Sequence, residues 1–335
     1  MALDPVAAIT WMLRGHWVTL ALRAAVELGV LDHLDEPATV EVLSAACRTD
    51  APSLARLLRV LIDVEVLSCD DGRYRRTAMG DTLTLDHPSQ LRSLTLMQTT
   101  VPNLAAWSHL ADAIRSGDAV FETVNGIDPW GYLSANPEQE AIFNAAMARR
   151  SEGQLEGLLA AGPLTGPLTV VDVGGGQGAL IAALLDTDPE LRGVVADRPD
   201  VAVVAGQALS GFGSRAQAVP TDFFVAVPGA GDVYLICNVL HDWDDAQAIA
   251  ILRTVAEVMG ADTRLWIVER VLDAPGRDAQ ETRDLNIVDL HMLVMFGARE
   301  RTVAEYDALA QGAGLAPVRL LAEGCVWNVL ETQVR

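Results

Sequence analysis

The stretch "LTVVDVGGGQGALIAALL", Leu168 to Leu185, reads as a strand, a turn and a helix. The branched apolar residues before the glycines suit a buried strand, and the run after them has helical length. Gly174, Gly176 and Gly178 remove side chains where the backbone must turn sharply or touch a ligand. Amides at the start of the following helix can face a polar ligand group. Working outward, more apolar runs of strand length follow: "LRGVVAD", "AQAVPTDFF", "DVYLICNVL" and "RLWIVERVL". Segments of helical length separate them. That alternation predicts βαβ units and an α/β fold, a Rossmann-like doubly wound sheet that is mostly parallel.

The first half of the chain has a different rhythm. Residues 1–160 read as almost all helix, and 161–335 as the α/β domain. The break falls near "GLLAAGPLTGPLT", Gly157 to Thr169, which reads as a loop. Asp4 and Pro5 look like an N-cap and a first-turn proline, with apolar residues at helical spacing through Leu31. So apolar a terminal segment is expected to pack against a second copy of the protein, making a homodimer. From Thr39 to Thr77 the pattern is helix, turn, helix and a hairpin turning at Asp71 and Gly72, which is winged-helix-like.

A winged helix raises DNA binding, but the charge speaks against it. The chain carries a formal −21 over 335 residues, and the helix that would enter a groove offers Arg56 and Arg59 against Asp63 and Glu65. Neutralising phosphates needs a basic surplus, so neither nucleic acid nor an anionic membrane is an expected partner. No window of 18 uninterrupted apolar residues is present, and the N-terminus shows no secretion signal. Cys47, Cys69, Cys237 and Cys325 form no CxxC motif, which fits a reducing cytoplasm and no zinc site.

A glycine turn alone is a weak signal. Gly174, Gly176 and Ala179 also satisfy a dinucleotide pattern, so an NAD-dependent oxidoreductase stands as an alternative. Three acids sharpen the reading. Asp172 sits inside the first strand, just before the glycines. Asp197 ends the second strand, where a carboxylate can hold two ribose hydroxyls. Asp222 ends the third and is followed by Phe223, an acceptor and a flat face suited to adenine. Together they point to one nucleoside with a short charged tail, as in S-adenosylmethionine (SAM), which becomes S-adenosylhomocysteine after methyl transfer.

The fourth strand runs into "HDWDD", His241 to Asp245. Ligands of an open α/β sheet sit beyond the carboxyl ends of its strands, so His241 is expected on the cofactor's rim. Glu269, ending the fifth strand, and Glu300, in "GARERT", can each accept from one imidazole nitrogen and raise the basicity of the other. That makes His241 a candidate general base for a phenol, which titrates near pH 10 and needs help to react at neutral pH. Asp244 or Asp245 is expected to cap the next helix. Trp243 reads equally as an aromatic wall for substrate or as core. No metal cluster is expected, and methyl transfer needs none.

"VVDVGGGQG", "VVADRPDV", "TDFF", "VLHDWDD" and "GARERTVAEYDALAQGAGL" occur in an order and spacing that resembles the SAM-dependent class II O-methyltransferases. These include plant caffeate and flavonoid enzymes and bacterial enzymes that tailor aromatic polyketides. The likeness covers nearly the whole chain. It implies a homodimer joined through the N-terminal domains and methylation of a phenolic hydroxyl, in secondary metabolism such as antibiotic biosynthesis. By motif match, Gly174, Asp197, Asp222, Phe223 and Ser151 would contact the cofactor, with Asp172 and Gly176 beside them. His241, Glu269 and Glu300 would be catalytic. Phe143, Met147, Asp242, Trp243, Met292, Met295 and Phe296 would line the substrate pocket. There are departures: Cys237 stands where plant members carry a lysine toward the adenosine end, and Ala298 replaces a glycine. Relatives that hydroxylate, decarboxylate or methylate nitrogen keep those chemistries as alternatives.

Overall fold

A computed structural model describes residues 4–148, 150–321 and 324–335, without the side chains of 148 and 152. The chain forms two compact units. One comprises residues 1–104 and 133–149, the other 105–132 and 150–335.

The first unit is mostly helical. Asp4 caps the opening helix by accepting from the Ala7 amide, with Pro5 in its first turn. The helical run expected through Leu31 is divided: Pro5–Leu13 ends at Arg14, Gly15–Glu27 follows, and a short 3₁₀ turn closes it at Leu31–His33. Glycine is a weak helix former, and the division falls where it opens the second helix. Helices Val40–Cys47 and Ala51–Asp63 lead into the hairpin β1 (Leu67–Asp70) and β2 (Arg73–Arg76). Asp71 and Gly72 both take positive φ, 47° and 76°, the backbone that a tight two-residue hairpin turn requires. Leu54, Leu58 and Leu61 face inward at helical spacing onto Val26, Leu31 and Leu43. The first helices leave Val6, Trp11, Met12, Leu13 and Trp17 more than half exposed.

The second unit is built on a sheet of seven strands: β3 (Thr169–Val173), β4 (Arg192–Asp197), β5 (Ala216–Pro220), β6 (Val233–Cys237), β7 (Arg264–Glu269), β8 (Arg319–Leu320) and β9 (Asn328–Thr332). Their order is β5-β4-β3-β6-β7-β9-β8. The five strands from β3 to β7 pair in parallel, and β9 runs antiparallel to β7. Alternate residues serve opposite faces. Val171, Val173, Tyr234, Ile236 and Ile267 pack with the helices Asp245–Val258 and Val303–Gly312. Val170, Val195, Leu235, Trp266 and Val268 pack with Ala179–Thr187 and the helix before β3. Both faces are covered, which is why these strands are almost continuously apolar.

The structure departs from the sequence pattern at two places. The third strand stops at Pro220, which has no N–H to donate to a ladder; Asp222 heads the turn beyond it. The loop expected from Gly157 begins later, because helix Arg150–Ala161 runs through that glycine. Side chains at Gly153 and Gly157 would collide with Trp327, at 2.8 Å from its ring and 2.6 Å from its carbonyl oxygen. These glycines mark a close approach, not a break.

Among the described residues, no helix is long and apolar enough to cross a membrane.

Candidate active site

The chain leaves β3 for one side of the sheet and returns to β6 on the other. The crevice therefore opens between the carboxyl ends of those two strands. The glycine turn follows β3 and the 3₁₀ turn Leu240–Asp242 follows β6. The two touch. Gly174 has φ 75°, and a Cβ there would lie 2.7 Å from Val239 Cγ2 and 3.7 Å from the Phe223 ring. Only glycine meets both demands.

Asp172 lies beneath this turn, so close that a side chain on Gly175 would meet its carboxyl at 2.7 Å. It is 1% exposed, and its Oδ1 has no hydrogen-bond partner among the described residues. Burial, and then the charge of Asp197, push its pKa up to about 7. Asp197 closes β4. It accepts from the Gly176 amide at 2.8 Å and the Arg198 amide at 2.7 Å, while burial raises its pKa. Each oxygen keeps a lone pair for another donor. Asp222 is exposed and accepts from the Phe224 amide at 3.0 Å, the blander turn-forming job. Phe223 is half-buried beside the glycine turn. Cys237 ends β6, and burial lifts its thiol well above the ordinary range, with Asp172 and Glu269 adding to the shift. It is a neutral, half-buried thiol in place of a cation. Ser151 is half-buried on helix Arg150–Ala161.

His241 is 2% exposed, and its Nδ1 lies 2.9 Å from Glu300 Oε1. Its Nε2 faces Asp242 Oδ1 at 3.4 Å. Burial alone would lower the imidazole pKa. The carboxylates of Glu300, Asp242 and Glu269 outweigh it and raise the value to about 9. Glu269 sits one step further back. Its Oε1 accepts from the Val239 and Leu240 amides at 3.1 and 2.9 Å, so it holds the backbone of the turn that carries the histidine. Burial raises Glu269 to about 7 and Asp242 to about 6, with His241 opposing in both. His241, Glu269 and Glu300 each offer a ligand atom within 4.8 Å of the others, a spacing open to an ion as well as to a shared proton. The bond between His241 and Glu300 is already the second arrangement.

Two residues here carried no expectation from the sequence. Arg301 is fully buried and donates to the Leu240 carbonyl at 2.7 Å, the Trp243 carbonyl at 2.8 Å and Asp245 Oδ1 at 2.8 Å. It clamps the histidine's turn from behind with the planar fork of a guanidinium. Asp289 accepts the Glu300 amide at 2.8 Å, positioning the acid that pairs with the histidine. The available signal was adjacency, an arginine directly after Glu300. Asp244 caps the next helix in a capping box with Gln247, as one of the two expected acids does.

The residues expected along the substrate wall are scattered more widely. Trp243 packs edge-on against Phe224 and Phe223, with centroids 4.8 and 6.0 Å away. Met292 and Met295 are buried on helix Ala279–Phe296, and Phe296 stacks on Trp130. Phe143 and Met147 lie on helix Pro137–Ala148, in the first unit.

Comparison with known proteins accords with this geometry. Residues 107–316 match the O-methyltransferase domain family, and residues 11–86 match the O-methyltransferase dimerisation domain. The chain is similar to the phenazine O-methyltransferase PhzM of Lysobacter antibioticus, 35% identical over 96% of this chain and 94% of that protein. It is also similar to the mitomycin biosynthesis 6-O-methyltransferase of Streptomyces lavendulae, 37% identical over 93% of this chain and 90% of that protein. Among solved structures, mitomycin 7-O-methyltransferase MmcR superposes with a TM-score of 0.90 at 35% identity, covering 98% of this chain and 97% of that one. The neocarzinostatin-pathway O-methyltransferase NcsB1, solved with SAM and 2-hydroxy-5-methyl naphthoic acid, gives 0.80 at 32%, covering 95% and 96%. The chain belongs to the O-methyltransferase family.

Proposed function

We propose that this enzyme transfers a methyl group from SAM to a phenolic hydroxyl of an aromatic natural product, in bacterial secondary metabolism, with His241 as general base. The carrying observation is the buried 2.9 Å pair between His241 and Glu300 at the end of β6, beside the glycine turn at the sheet's crossover.

The residues present fit the cofactor. Gly174 and Gly175 keep a cradle free of side chains, and the Asp172 carboxyl beneath it has an unpaired buried oxygen. Gly174, Gly176, Asp172 and Asp197 would hold the amino-acid and ribose parts, with Asp222, Phe223 and Cys237 toward the adenine and Ser151 at the margin. When bound, SAM supplies an electrophilic methyl on a sulfonium.

The chain's own work is to seat the hydroxyl and take its proton. Glu300 accepts the Nδ1–H of neutral His241, which leaves the lone pair on Nε2 for the substrate proton. Asp242, 3.4 Å from that nitrogen, stabilises the imidazolium that forms. Glu269 and Arg301 hold the turn in place. Met292, Met295, Phe296 and Trp243 are proposed as apolar walls; for Phe143 and Met147 the assignment rests on the resemblance alone. The exposed apolar residues of the first helices are proposed as the homodimer surface. A cytoplasmic setting suits the four free cysteines.

The test is His241→Ala. SAM binding by calorimetry should stay within a few-fold of the native enzyme while kcat falls roughly 10²- to 10⁴-fold, the size of a general-base contribution. Near-native turnover would show that positioning alone carries the reaction.

A further inference from the structure

Helix Ala279–Phe296 carries a second histidine into the same unit. His291 lies one residue before Met292, and its helix packs against the turn Leu240–Asp242. Trp107 Nε1 reaches its Nδ1 at 3.0 Å, with the two ring planes within 15° of parallel. Trp107 itself is packed against the cluster of Ala106, Phe121, Val294 and Met295. An indole N–H can only donate. The Nδ1 of His291 must therefore present its lone pair, and the proton of the neutral ring sits on Nε2.

Three further facts define that Nε2–H. No described residue hydrogen-bonds to it, and the His291 side chain is half-buried, not sealed in the core. The ring stays neutral: burial first, then the positive charges of Arg150 and His241, press its pKa down to about 4. Arg150 also acts on Asp242. The site thus has two poles. Glu300, Glu269 and Asp242 surround His241 with acceptors. The His291 side carries a neutral donor near a guanidinium.

We propose that His291 is a specificity-determining donor, whose Nε2–H binds a second oxygen of the acceptor, a carbonyl or carboxylate on the aromatic system that also bears the reactive hydroxyl. The proposal rests on the methyltransferase reading. A hydroxyl meets acceptors at His241, and a carbonyl oxygen meets a donor at His291. A phenol without that second oxygen would leave the donor unpaired in a partly dry site, which is costly and therefore selective.

The test compares a hydroxynaphthoate and a hydroxynaphthoquinone with the matching naphthol, each titrated calorimetrically into the enzyme saturated with S-adenosylhomocysteine. His291→Leu should weaken the two oxygen-bearing compounds about tenfold and change naphthol less than about twofold. His291→Gln, which keeps an amide donor, should recover most of the loss. Trp107→Phe, which frees the tautomer, should weaken the same two compounds selectively. In the native protein, ¹⁵N imidazole spectra should show an unprotonated Nδ1 at pH 7. Equal weakening of all three compounds by His291→Leu, or no weakening, would overturn the proposal. If that variant failed to bind S-adenosylhomocysteine, Trp107→Phe would decide by the same criterion. A native enzyme that shows this discrimination but transfers no methyl group would count for the donor and against the methyltransferase reading.

Discussion

At the scale of single residues, the proposed chemistry turns on how three carboxylates treat one imidazole. With its pKa raised to about 9, His241 is largely protonated at neutral pH in the ligand-free enzyme. A base must be unprotonated to accept, so the sign follows: kcat/KM should climb as pH rises from about 7 toward 9 and level off above the histidine's ionisation. A profile flat across that range would separate the histidine from the rate. Glu300→Gln removes the carboxylate that does most to raise the value, so the acid limb should move to lower pH. The rate should fall roughly 10- to 100-fold as orientation is lost, in line with losses of outer-shell partners. The cluster titrates as a unit, and its apparent values belong to the group. Glu269 was legible as an ionisable side chain closing an apolar strand, and His241 as one just beyond another, where such a residue is conspicuous. Glu300 was legible only as one of two possible partners, because it follows a helix and nothing local aims it at a histidine 59 residues away. Arg301 and Asp289 were not legible, since their work is done through carbonyls and an amide that any sequence contains.

At the scale of elements, the two turns beyond β3 and β6 are each specified twice, by backbone shape and by what lies against them. Gly174→Ala puts a Cβ at positive φ and against Val239; it should cost about 1–3 kcal/mol and weaken SAM binding at least tenfold by calorimetry. Native-like SAM affinity in that variant would place the cofactor away from this turn. Arg301→Met removes the guanidinium donor from the Leu240 and Trp243 carbonyls and from Asp245; urea unfolding should show a loss of about 2–4 kcal/mol, as for a broken buried hydrogen-bond network. Arg301→Lys restores the charge without the fork, and it should recover only part of that stability. The parallel strands were readable from sequence because burial on both faces makes them continuously apolar. The helix through Gly153 and Gly157 was not, because glycine signals a loop unless one knows that Trp327, 170 residues beyond Gly157, needs the room.

At the scale of the whole molecule, the apolar residues left exposed on the first helices have no partner within their own unit. Trp17→Glu should shift the protein from dimer toward monomer in light scattering; an unchanged mass would move the interface elsewhere. His241, Glu269 and Glu300 are also spaced as metal ligands could be. Exhaustive dialysis against a chelator should leave turnover unchanged, and restoration by an added divalent ion would overturn the proton-handling reading.

By itself, the sequence determined the kind of sheet, the position of the glycine turn, and the acids that close the second and fifth parallel strands. These are local consequences of periodicity and backbone freedom, written in contiguous residues. Only the tertiary structure decided which acid grips the imidazole, which one grips the backbone, and that an indole sets the tautomer of His291. Those outcomes depend on directions and distances between groups as much as 184 residues apart, and a hydrogen bond exists only where its geometry is met.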